Sequence, residues 1–447
     1  MGQPGTTPEF ERLAAAAAGH FAADRWDEAE AAYRAALAIA PGHPVILHNL
    51  GVLAARVGDH EAAIVRLDAA LAADARYVSA FYHRAAALDA LGRQPEAIAD
   101  FGRAVALDPA HYASHRALGF LLLAAGRRGR ALDHFARTYD LRRGQDRTGL
   151  AARSLDHASR MKLRHDAAQF RHLAGVGRDT AGFDALARRY DSVAAHFPAA
   201  VTALSGADLE RLGQTYNTAI HLRDAPEMAE GAVARRPDRQ RLVDAIAEGK
   251  SAVFVDDFLT PRAFTTLQRH LLESTIWHDF AHIGGFVASY LEDGLASPLL
   301  LQVADELRAA LPELLAAHPL SQAWSFKAVA PKAAVDVHAD DGAVSVNFWM
   351  TPSAANRDPG CGGMGVCLTP PPPDWRVTGY DEDKGRSEDF LDRHRGDVLL
   401  VPYRENRAVL FRSRLLHYSD RPDFADGYEH HRINVTLLFG RGSAHLA

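Results

Sequence analysis

A histidine and an aspartate two positions apart are the residues of this chain whose types and spacing most directly suggest chemistry. His338 and Asp340 flank an alanine in a segment that alternates apolar and polar residues. A His-x-Asp triplet is common by chance, so its context matters. On a strand the two side chains project to one face, which places an imidazole beside a carboxylate. With a second histidine they would form a face that holds Fe(II) and leaves half of its octahedron open for a bidentate cosubstrate and O2.

His417 is the candidate for that second histidine, because it ends the apolar segment VLFRSRLL. Arg432 follows 15 residues later and interrupts an otherwise apolar predicted strand. A buried guanidinium needs an anionic partner, and its planar shape suits a carboxylate bound through two hydrogen bonds. The neighbouring predicted strands offer no obvious acidic residue. We therefore expect a small molecule to bring the carboxylate.

Three nearby residues are alternatives for the metal ligands. Asp341 competes with Asp340, but strand alternation points it away from the histidine, which favours Asp340. His430 and His431 compete with His417. They are polar residues at a turn before a strand, and we expect them to be exposed to solvent.

The predicted strand AVSVNFWMT places Ser345, Asn347 and Trp349 on one face. Asn347 could line the pocket and bond a cosubstrate, or it could be a structural asparagine whose hydrogen bonds are satisfied within the protein. The sequence leaves both interpretations open. Cys361 and Cys367 are the two cysteines of the chain, and we interpret both as small core residues.

Short strands must position these residues, since the last two hundred residues are rich in β-branched and aromatic runs separated by Gly, Pro and Asp. This pattern predicts an antiparallel sandwich or barrel with helices on one outer face. Two helices precede most of the strands, one after Thr260-Pro261 and one over about residues 298–317. The predicted strands are WSFKAVA, AAVDVHAD, AVSVNFWMT, GGMGVCLT, GDVLLVPY, NRAVLFRS and RINVTLLFG.

The first third of the chain repeats itself with a period of 34 residues. Small residues, larger apolar residues and glycines each recur in this register: Ala29, Ala63, Ala97 and Ala131; Tyr33, Leu67, Phe101 and Phe135; Gly58, Gly92 and Gly126. Small residues let two helices approach closely, and the larger residue fills the groove between them. The segments WDEAEAAYRAALAIAP and QPEAIADFGRAVALDP resemble the second helix of the tetratricopeptide repeat. The pattern predicts about four repeats over residues 8–144, stacked into an all-α solenoid.

Between the repeats and the strands, residues 145–249 keep helical spacing but lose the 34-residue register. We interpret this region as a helical linker that supports the solenoid. The polar stretch HLRDAPEMAEGAVARRPDRQ contains two prolines and predicts a surface loop.

Residues 250–443 resemble the prolyl-4-hydroxylase-like branch of the Fe(II)/2-oxoglutarate-dependent oxygenases. The similarity lies in the His-x-Asp pair, the distal histidine, the following arginine and the preceding segment FVDDFLTPRAF. VHADDGAVSVNFWMTP, VPYRENRAVLFRSRLLHYSD and GYEHHRINVTLLFGRG are especially similar to bacterial proteins that join tetratricopeptide repeats to such a domain. The resemblance implies a double-stranded β-helix, also called a jelly-roll or cupin-like fold, with flanking helices.

The same resemblance implies roles for individual residues and for small molecules. His338, Asp340 and His417 would ligate Fe(II), Arg432 would bind the distal carboxylate of the cosubstrate 2-oxoglutarate, and Thr436 would add a hydrogen bond to that carboxylate. O2 would be the oxidant. The spacing from the distal histidine to the arginine is longer here than is typical of the branch, with DFADGYEHH as the additional turn.

Composition excludes several classes of protein. The 447 residues are 48% hydrophobic and include 50 Lys and Arg against 56 Asp and Glu, with a net charge of −6. This composition is globular and lacks the overall positive field typical of nucleic-acid binding. No bilayer-spanning apolar run and no signal sequence is recognisable, and two cysteines cannot form a disulfide framework. We expect a cytoplasmic protein without a membrane or nucleic-acid partner.

The sequence favours a dioxygenase that hydroxylates a C–H bond of a protein or peptide held on the concave face of the repeats. An extended chain suits that surface better than a metabolite does. One alternative is a small-molecule hydroxylase whose repeats only make a homodimer. Another is an interaction scaffold whose β-rich domain is catalytically idle.

Overall fold

A computed structural model shows that the chain forms two compact units, Met1–Leu122 and Leu123–Ala447. The boundary lies inside the fourth predicted repeat, earlier than the position near residue 144 that the sequence period suggests. The structure describes residues 7–144, 157–234, 251–281, 284–330, 333–372, 375 and 384–440.

The described residues before position 145 form eight helices, in agreement with the four predicted helix pairs. They are α1 (Pro8–Ala22), α2 (Trp26–Ile39), α3 (Pro44–Arg56), α4 (His60–Ala73), α5 (Val78–Ala90), α6 (Gln94–Leu107), α7 (Tyr112–Ala124) and α8 (Arg128–Arg143).

The periodic residues have the roles that their types suggest. Ala29, Ala63 and Ala97 are completely buried, so each second helix of a pair lies close to its neighbour at that position. Gly58 and Gly92 adopt φ angles of 86° and 74° in the turns that join α3 to α4 and α5 to α6. This left-handed conformation is strained for residues with a Cβ atom, which explains why glycine recurs there.

The described residues of the middle region form three helices around one core. They are α9 (Arg160–Gly175), α10 (Thr180–Ala194) and α11 (Gly206–Leu212), and β1 (His157–Ala158) pairs with β2 (Thr202–Ala203) beside them. Their shared core includes Phe170, Tyr190 and Tyr216. Residues 221–234 of the predicted loop contain no helix or strand, while its remaining residues lie outside the described part of the chain.

The helices near the strands begin where the sequence predicts. The first is α12 (Pro261–Glu273), and the Thr260 side chain accepts a hydrogen bond from the backbone of Ala263 at its start. The helix predicted over 298–317 is two helices, α13 (Pro298–Ala310) and α14 (Pro312–Leu315). Leu311 leaves the helical conformation, with φ −127° and ψ 59°, because the residue before a proline avoids it. The later helix α15 spans Lys384–Arg393.

Two antiparallel sheets make up the β-rich part of the second unit. The larger has the order β3-β9-β6-β11-β5-β4, and the smaller has the order β10-β7-β8. The strands are β3 (Ala252–Val255), β4 (Phe286–Tyr290), β5 (Leu320–Ala328), β6 (Val344–Trp349), β7 (Met364–Cys367), β8 (Val398–Val401), β9 (Ala408–Arg412), β10 (His417–Ser419) and β11 (Ile433–Phe439).

An apolar cluster joins the two sheets. Trp349 and Phe411 come from the larger sheet, and Met364, Val366 and Val401 come from the smaller one. The metal-binding candidates lie at the edge of this cluster. In the described residues, no helix combines the length and apolar character needed to cross a bilayer.

One predicted strand is wrong. Residues 333–340 form no regular strand, although an isolated bridge pairs His338 with His417 of β10. The ladder is interrupted because the amide of Val335 donates to the side chain of Ser419, and the amide of Asp340 donates to the carbonyl of Ser413. The short strands β4 and β10 were not predicted.

Candidate metal centre

The two candidate histidines lie directly opposite each other. The amide of His338 donates to the carbonyl of His417 at 3.0 Å, and the amide of His417 donates back at 2.8 Å. Their ring centroids are 4.2 Å apart. This backbone pairing fixes both imidazoles on one side of the bridge.

Backbone carbonyls determine which ring nitrogen of each histidine carries a proton. Nδ1 of His338 is 2.8 Å from the carbonyl of Asp336, and Nδ1 of His417 is 2.9 Å from the carbonyl of Leu415. A carbonyl only accepts, so Nδ1 donates in both rings and Nε2 keeps its lone pair. Both histidines therefore present an Nε2 that could bind a metal, and each makes the outer hydrogen bond that metal-binding histidines commonly make.

Asp340 completes the group. Its Oδ1 is 3.8 Å from Nε2 of His338, and its Oδ2 is 3.6 Å from Nε2 of His417. In the described part of the chain, this is the only set of three such side chains whose ligand atoms all lie within 4.8 Å of one another. Burial, and then the neighbouring His417, lower the pKa of His338 to about 4, so this ring is neutral near pH 7 as coordination requires.

The rival ligands lie elsewhere. Asp341 is exposed, and neither it nor His430 or His431 belongs to this group. The expectation that both rival histidines are solvent-exposed is wrong, because both are half-buried. Nδ1 of His431 donates to the carbonyl of Ala328 at 2.9 Å, and burial lowers its pKa to about 4.

Arg432 is a buried cation with little compensation. It is 3% exposed, and its Nη2 donates a hydrogen bond of 3.3 Å to the carbonyl of Gly363. In the described part of the chain, its buried Nε has no hydrogen-bond partner. Burial lowers the pKa of Arg432 to about 10. An anion in the adjacent cavity would relieve this unfavourable burial.

Asn347 and Thr436 are cross-strand neighbours on β6 and β11. Nδ2 of Asn347 donates to Oγ1 of Thr436 at 2.9 Å, which leaves the Thr436 hydroxyl hydrogen for another acceptor. Oδ1 of Asn347 is buried and has no hydrogen-bond partner among the residues that the structure describes. The amide nitrogen of Asn347 is therefore satisfied within the protein, while its amide oxygen remains able to accept a hydrogen bond from a ligand.

One cavity of about 40 Å³ contains all six residues named from the sequence. It is lined by His338, Asp340, His417, Asn347, Arg432 and Thr436, together with Trp324, Phe326, Val335, Met364, Phe411, Tyr418, Ser419 and Asn434. A set of two imidazoles and one carboxylate suits Fe(II), and the unpaired guanidinium suits the carboxylate of a small acid. The residues present thus fit both groups that the family resemblance implies.

Sequence reasoning missed two serines beside the aspartate. Oγ of Ser345 donates to Oδ2 of Asp340 at 2.7 Å, and Oγ of Ser413 lies 2.9 Å from Oγ of Ser345. The alternation of β6 placed Ser345 on the same face as Asn347, and this pattern could have indicated that it lies near the site. Ser413 lies in a turn, where no pattern indicates its neighbour.

A second, larger cavity lies within the first unit. Its volume is about 480 Å³, and it is lined by Phe21, Tyr33, His48, Asn49, Val52, Ala55, Arg56 and His83. Most of these residues come from α1, α3 and α5, the first helices of successive pairs. We call this cavity the repeat groove.

Comparison with known proteins identifies the repeats. Residues 20–88 and 78–111 match family models of the tetratricopeptide repeat, so this segment is a tetratricopeptide-repeat array, which suggests a role in protein interaction. No curated protein is significantly similar to the chain.

Three solved structures illustrate the similarity. The first TPR of Spaghetti (RPAP3) bound to an HSP90 peptide is 24% identical, with 28% of this chain and 99% of that chain covered and a TM-score of 0.27. The Sgt2 TPR domain from Aspergillus fumigatus is 24% identical, with coverages of 27% and 83% and a TM-score of 0.26. An O-GlcNAc transferase mutant of Thermobaculum terrenum is 27% identical, with coverages of 30% and 28% and a TM-score of 0.28.

Proposed function

We propose that the β-rich part of the second unit is an Fe(II)- and 2-oxoglutarate-dependent dioxygenase with a double-stranded β-helix core. The observation that carries this proposal is the convergence of His338, Asp340 and His417 in one cavity with the unpaired Arg432. A catalytically idle scaffold would have no need to bury these costly groups together.

Fe(II) would supply the activation of O2 that couples decarboxylation of 2-oxoglutarate, giving succinate and CO2, to hydroxylation of a C–H bond. Nε2 of His338, Nε2 of His417 and a carboxylate oxygen of Asp340 would hold the metal. The two outer hydrogen bonds from Nδ1 keep the imidazole planes fixed, so both lone pairs stay directed at one point.

Arg432, Thr436 and Asn347 would bind the cosubstrate. The guanidinium offers its unpaired Nε to the distal carboxylate, and the Thr436 hydroxyl can donate to the same group. Because Arg432 is buried beside Trp349, with its Cζ 5.8 Å from the ring centroid, its attraction for an anion is little screened by solvent.

Aromatic side chains would keep the site dry. Phe411 packs against His417 with ring centroids 4.6 Å apart, and Trp324 and Phe326 of β5 line the same cavity. An apolar wall limits the access of water to the reacting centre and leaves a defined place for the target C–H bond.

The substrate is proposed to be a protein or peptide held in the repeat groove. The groove combines apolar walls from Phe21 and Val52 with polar atoms of Tyr33, Asn49 and Arg56, which suits the mixed surface of an extended chain. The alternative, a small-molecule hydroxylase whose repeats only dimerise the chain, predicts no requirement for the groove.

The proposed activity is tested by adding Fe(II), 2-oxoglutarate and O2 to the purified full-length chain and measuring succinate. Succinate formation that disappears in His338→Ala is the expected result. If wild type and His338→Ala release equal amounts of succinate, or if neither releases any, the proposed enzyme function is wrong.

The substrate class is tested by supplying ¹⁸O2 to the full-length enzyme with a peptide library or with a metabolite extract. Incorporation of ¹⁸O into peptides, and its reduction in the groove variant Arg56→Glu, would support the peptide assignment. Arg12→Glu is the control, because Arg12 is exposed and does not line the groove. Label that enters only a metabolite would favour the alternative.

A further inference from the structure

We propose that Ser345 is a positioning residue that fixes the carboxylate of Asp340 for metal binding and is itself oriented by Ser413. This inference rests on the proposed function, because it assumes that Asp340 ligates a metal. It concerns how the site is built, which the ligand set alone does not determine.

The direction of each hydrogen bond follows from the chemistry of the groups. An ionised carboxylate only accepts, so the Ser345 hydroxyl must donate its single hydrogen to Oδ2 of Asp340. The hydrogen in the contact between the two serines must then come from Ser413. The three residues form a chain in which Ser413 donates to Ser345 and Ser345 donates to Asp340.

Both serines are completely buried, so water does not compete for these bonds. Ser413 also holds the main chain of the ligand, because its carbonyl accepts a 2.9 Å hydrogen bond from the amide of Asp340. Ser413 therefore holds the backbone of Asp340 directly and its side chain through Ser345. An aspartate on an irregular segment gains here the rigidity that a regular strand would otherwise provide.

Gly342 makes this approach possible. A Cβ atom at this position would lie 2.4 Å from Cδ1 of Leu438 and 3.2 Å from Oγ of Ser413. A side chain here would force Leu438 to move, so glycine lets the segment after Asp340 pass close to both residues in the order His-Ala-Asp-Asp-Gly.

The hydrogen bond has a consequence for coordination. It stops rotation of the carboxylate about its Cβ–Cγ bond and occupies a lone pair of Oδ2, which favours binding of the metal through one oxygen instead of two. Loss of an outer hydrogen bond to a ligand typically weakens metal binding by about 10- to 100-fold. We expect a loss in this range when the Ser345 hydroxyl is removed.

The test measures Mn(II) binding to the full-length chain by calorimetry and compares Ser345→Ala with Ser325→Ala. Ser325 is a matched control, because it is also completely buried in the larger sheet, and its hydroxyl donates to the carbonyl of Asn434 at 2.8 Å. Ser345→Ala should raise the dissociation constant by about 10- to 100-fold, while Ser325→Ala should leave it unchanged. Ser345→Thr, which keeps the hydroxyl, should restore part of the affinity.

Co(II) gives a second measurement that a purely structural role would not change. Its visible absorption bands report ligand geometry and should shift in Ser345→Ala but not in Ser325→Ala. If Ser345→Ala does not fold, Ser413→Ala provides the same test, since it leaves the Ser345 hydroxyl without its orienting donor and should weaken Mn(II) binding by a smaller factor.

Two results overturn the inference. One is a folded Ser345→Ala variant that binds Mn(II) with wild-type affinity and an unchanged Co(II) spectrum. The other is a wild-type chain that binds no Mn(II), which also contradicts the proposed function. A chain that shows the expected serine dependence but releases no succinate contradicts the enzyme function alone.

Discussion

Arg143 and Asp293 form a buried ion pair through two hydrogen bonds. Nε of Arg143 donates to Oδ1 of Asp293 at 2.8 Å, and Nη2 donates to Oδ2 at 2.7 Å. Both side chains are at most 3% exposed. Beside them, the hydroxyl of Tyr139 donates to the carbonyl of Thr275 at 3.0 Å. Helix α8, the last helix of the repeat register, is thus anchored inside the second unit.

Replacing one partner of this pair should strongly destabilise the protein. Arg143→Met removes both hydrogen bonds from the buried Asp293 carboxylate and leaves it, among the described residues, only the longer contact with Nη1 of Arg142 at 3.9 Å. Breaking a buried pair in this way typically costs about 3 to 5 kcal/mol of unfolding free energy. Urea denaturation of the full-length chain measures the change. Arg137→Met on the same helix is the control, because its ion pair with Asp140 is exposed and should contribute less than about 1 kcal/mol. Equal effects of the two variants would contradict the importance of burial.

The choice between the two adjacent aspartates can be tested directly. Asp340→Ala should abolish 2-oxoglutarate turnover and weaken Mn(II) binding strongly, because it removes one of three ligands. Asp341→Ala should retain both, because Asp341 lies outside the cluster of ligand atoms. Succinate release and calorimetry measure the two properties. A reversed order of the two variants would mean that Asp341 is the ligand.

Arg432 should control the affinity for 2-oxoglutarate. Truncating one partner of a desolvated guanidinium–carboxylate pair costs about 2 to 5 kcal/mol, so Arg432→Ala should raise the 2-oxoglutarate concentration for half-maximal turnover by more than about tenfold. Titration of succinate release with the cosubstrate gives this value. Arg412→Ala provides a control on the exposed side of β9. An unchanged requirement in Arg432→Ala would exclude its role as the anchor.

The first unit should lose stability in mild acid. Burial, followed by the nearby His48 and His111, lowers the pKa of His83 from 6.5 to about 4. Because the folded state binds the proton more weakly than the unfolded chain does, the contribution of His83 is constant above pH 6.5 and is lost progressively as the pH falls towards 4.

This pH dependence can be isolated with His83→Phe, which removes the titrating group but keeps a ring that can pack against His48. Thermal unfolding of both proteins between about pH 7 and pH 4.5 should show a steeper loss in wild type, on the order of 1 to 3 kcal/mol over the range. Parallel curves for the two proteins would show that His83 does not control the effect.

Residues with a repeated or alternating pattern were predictable from the sequence. The burial of Ala29 and Ala63 and the left-handed turn at Gly58 follow from a 34-residue period, because each repeat has the same helix contacts and the same turn. The tetratricopeptide repeats are confirmed. The shared face of Asn347 and Trp349 follows equally from the alternation of a strand.

Features that depend on single long-range contacts were not predictable. The segment around His338 was predicted as a strand, but its amides find partners in Ser413 and Ser419, far along the chain. β10 has only three residues, too few for alternation to be recognised. The boundary between the units was not predictable for the same reason. Helix α8 belongs to the second unit, where Arg143 binds Asp293, and no local sequence pattern indicates that contact.

The anchoring of α8 has a consequence for how such a protein can evolve. A repeat array lengthens by duplication of its 34-residue unit, and each interior copy contacts only the repeats next to it. Here Tyr139 and Arg143 make the final helix specific to Thr275 and Asp293, so a duplicated copy placed after it would displace these contacts. The array can therefore gain or lose repeats only upstream of α8, and the repeat groove can diversify while the residues of the proposed metal site stay unchanged.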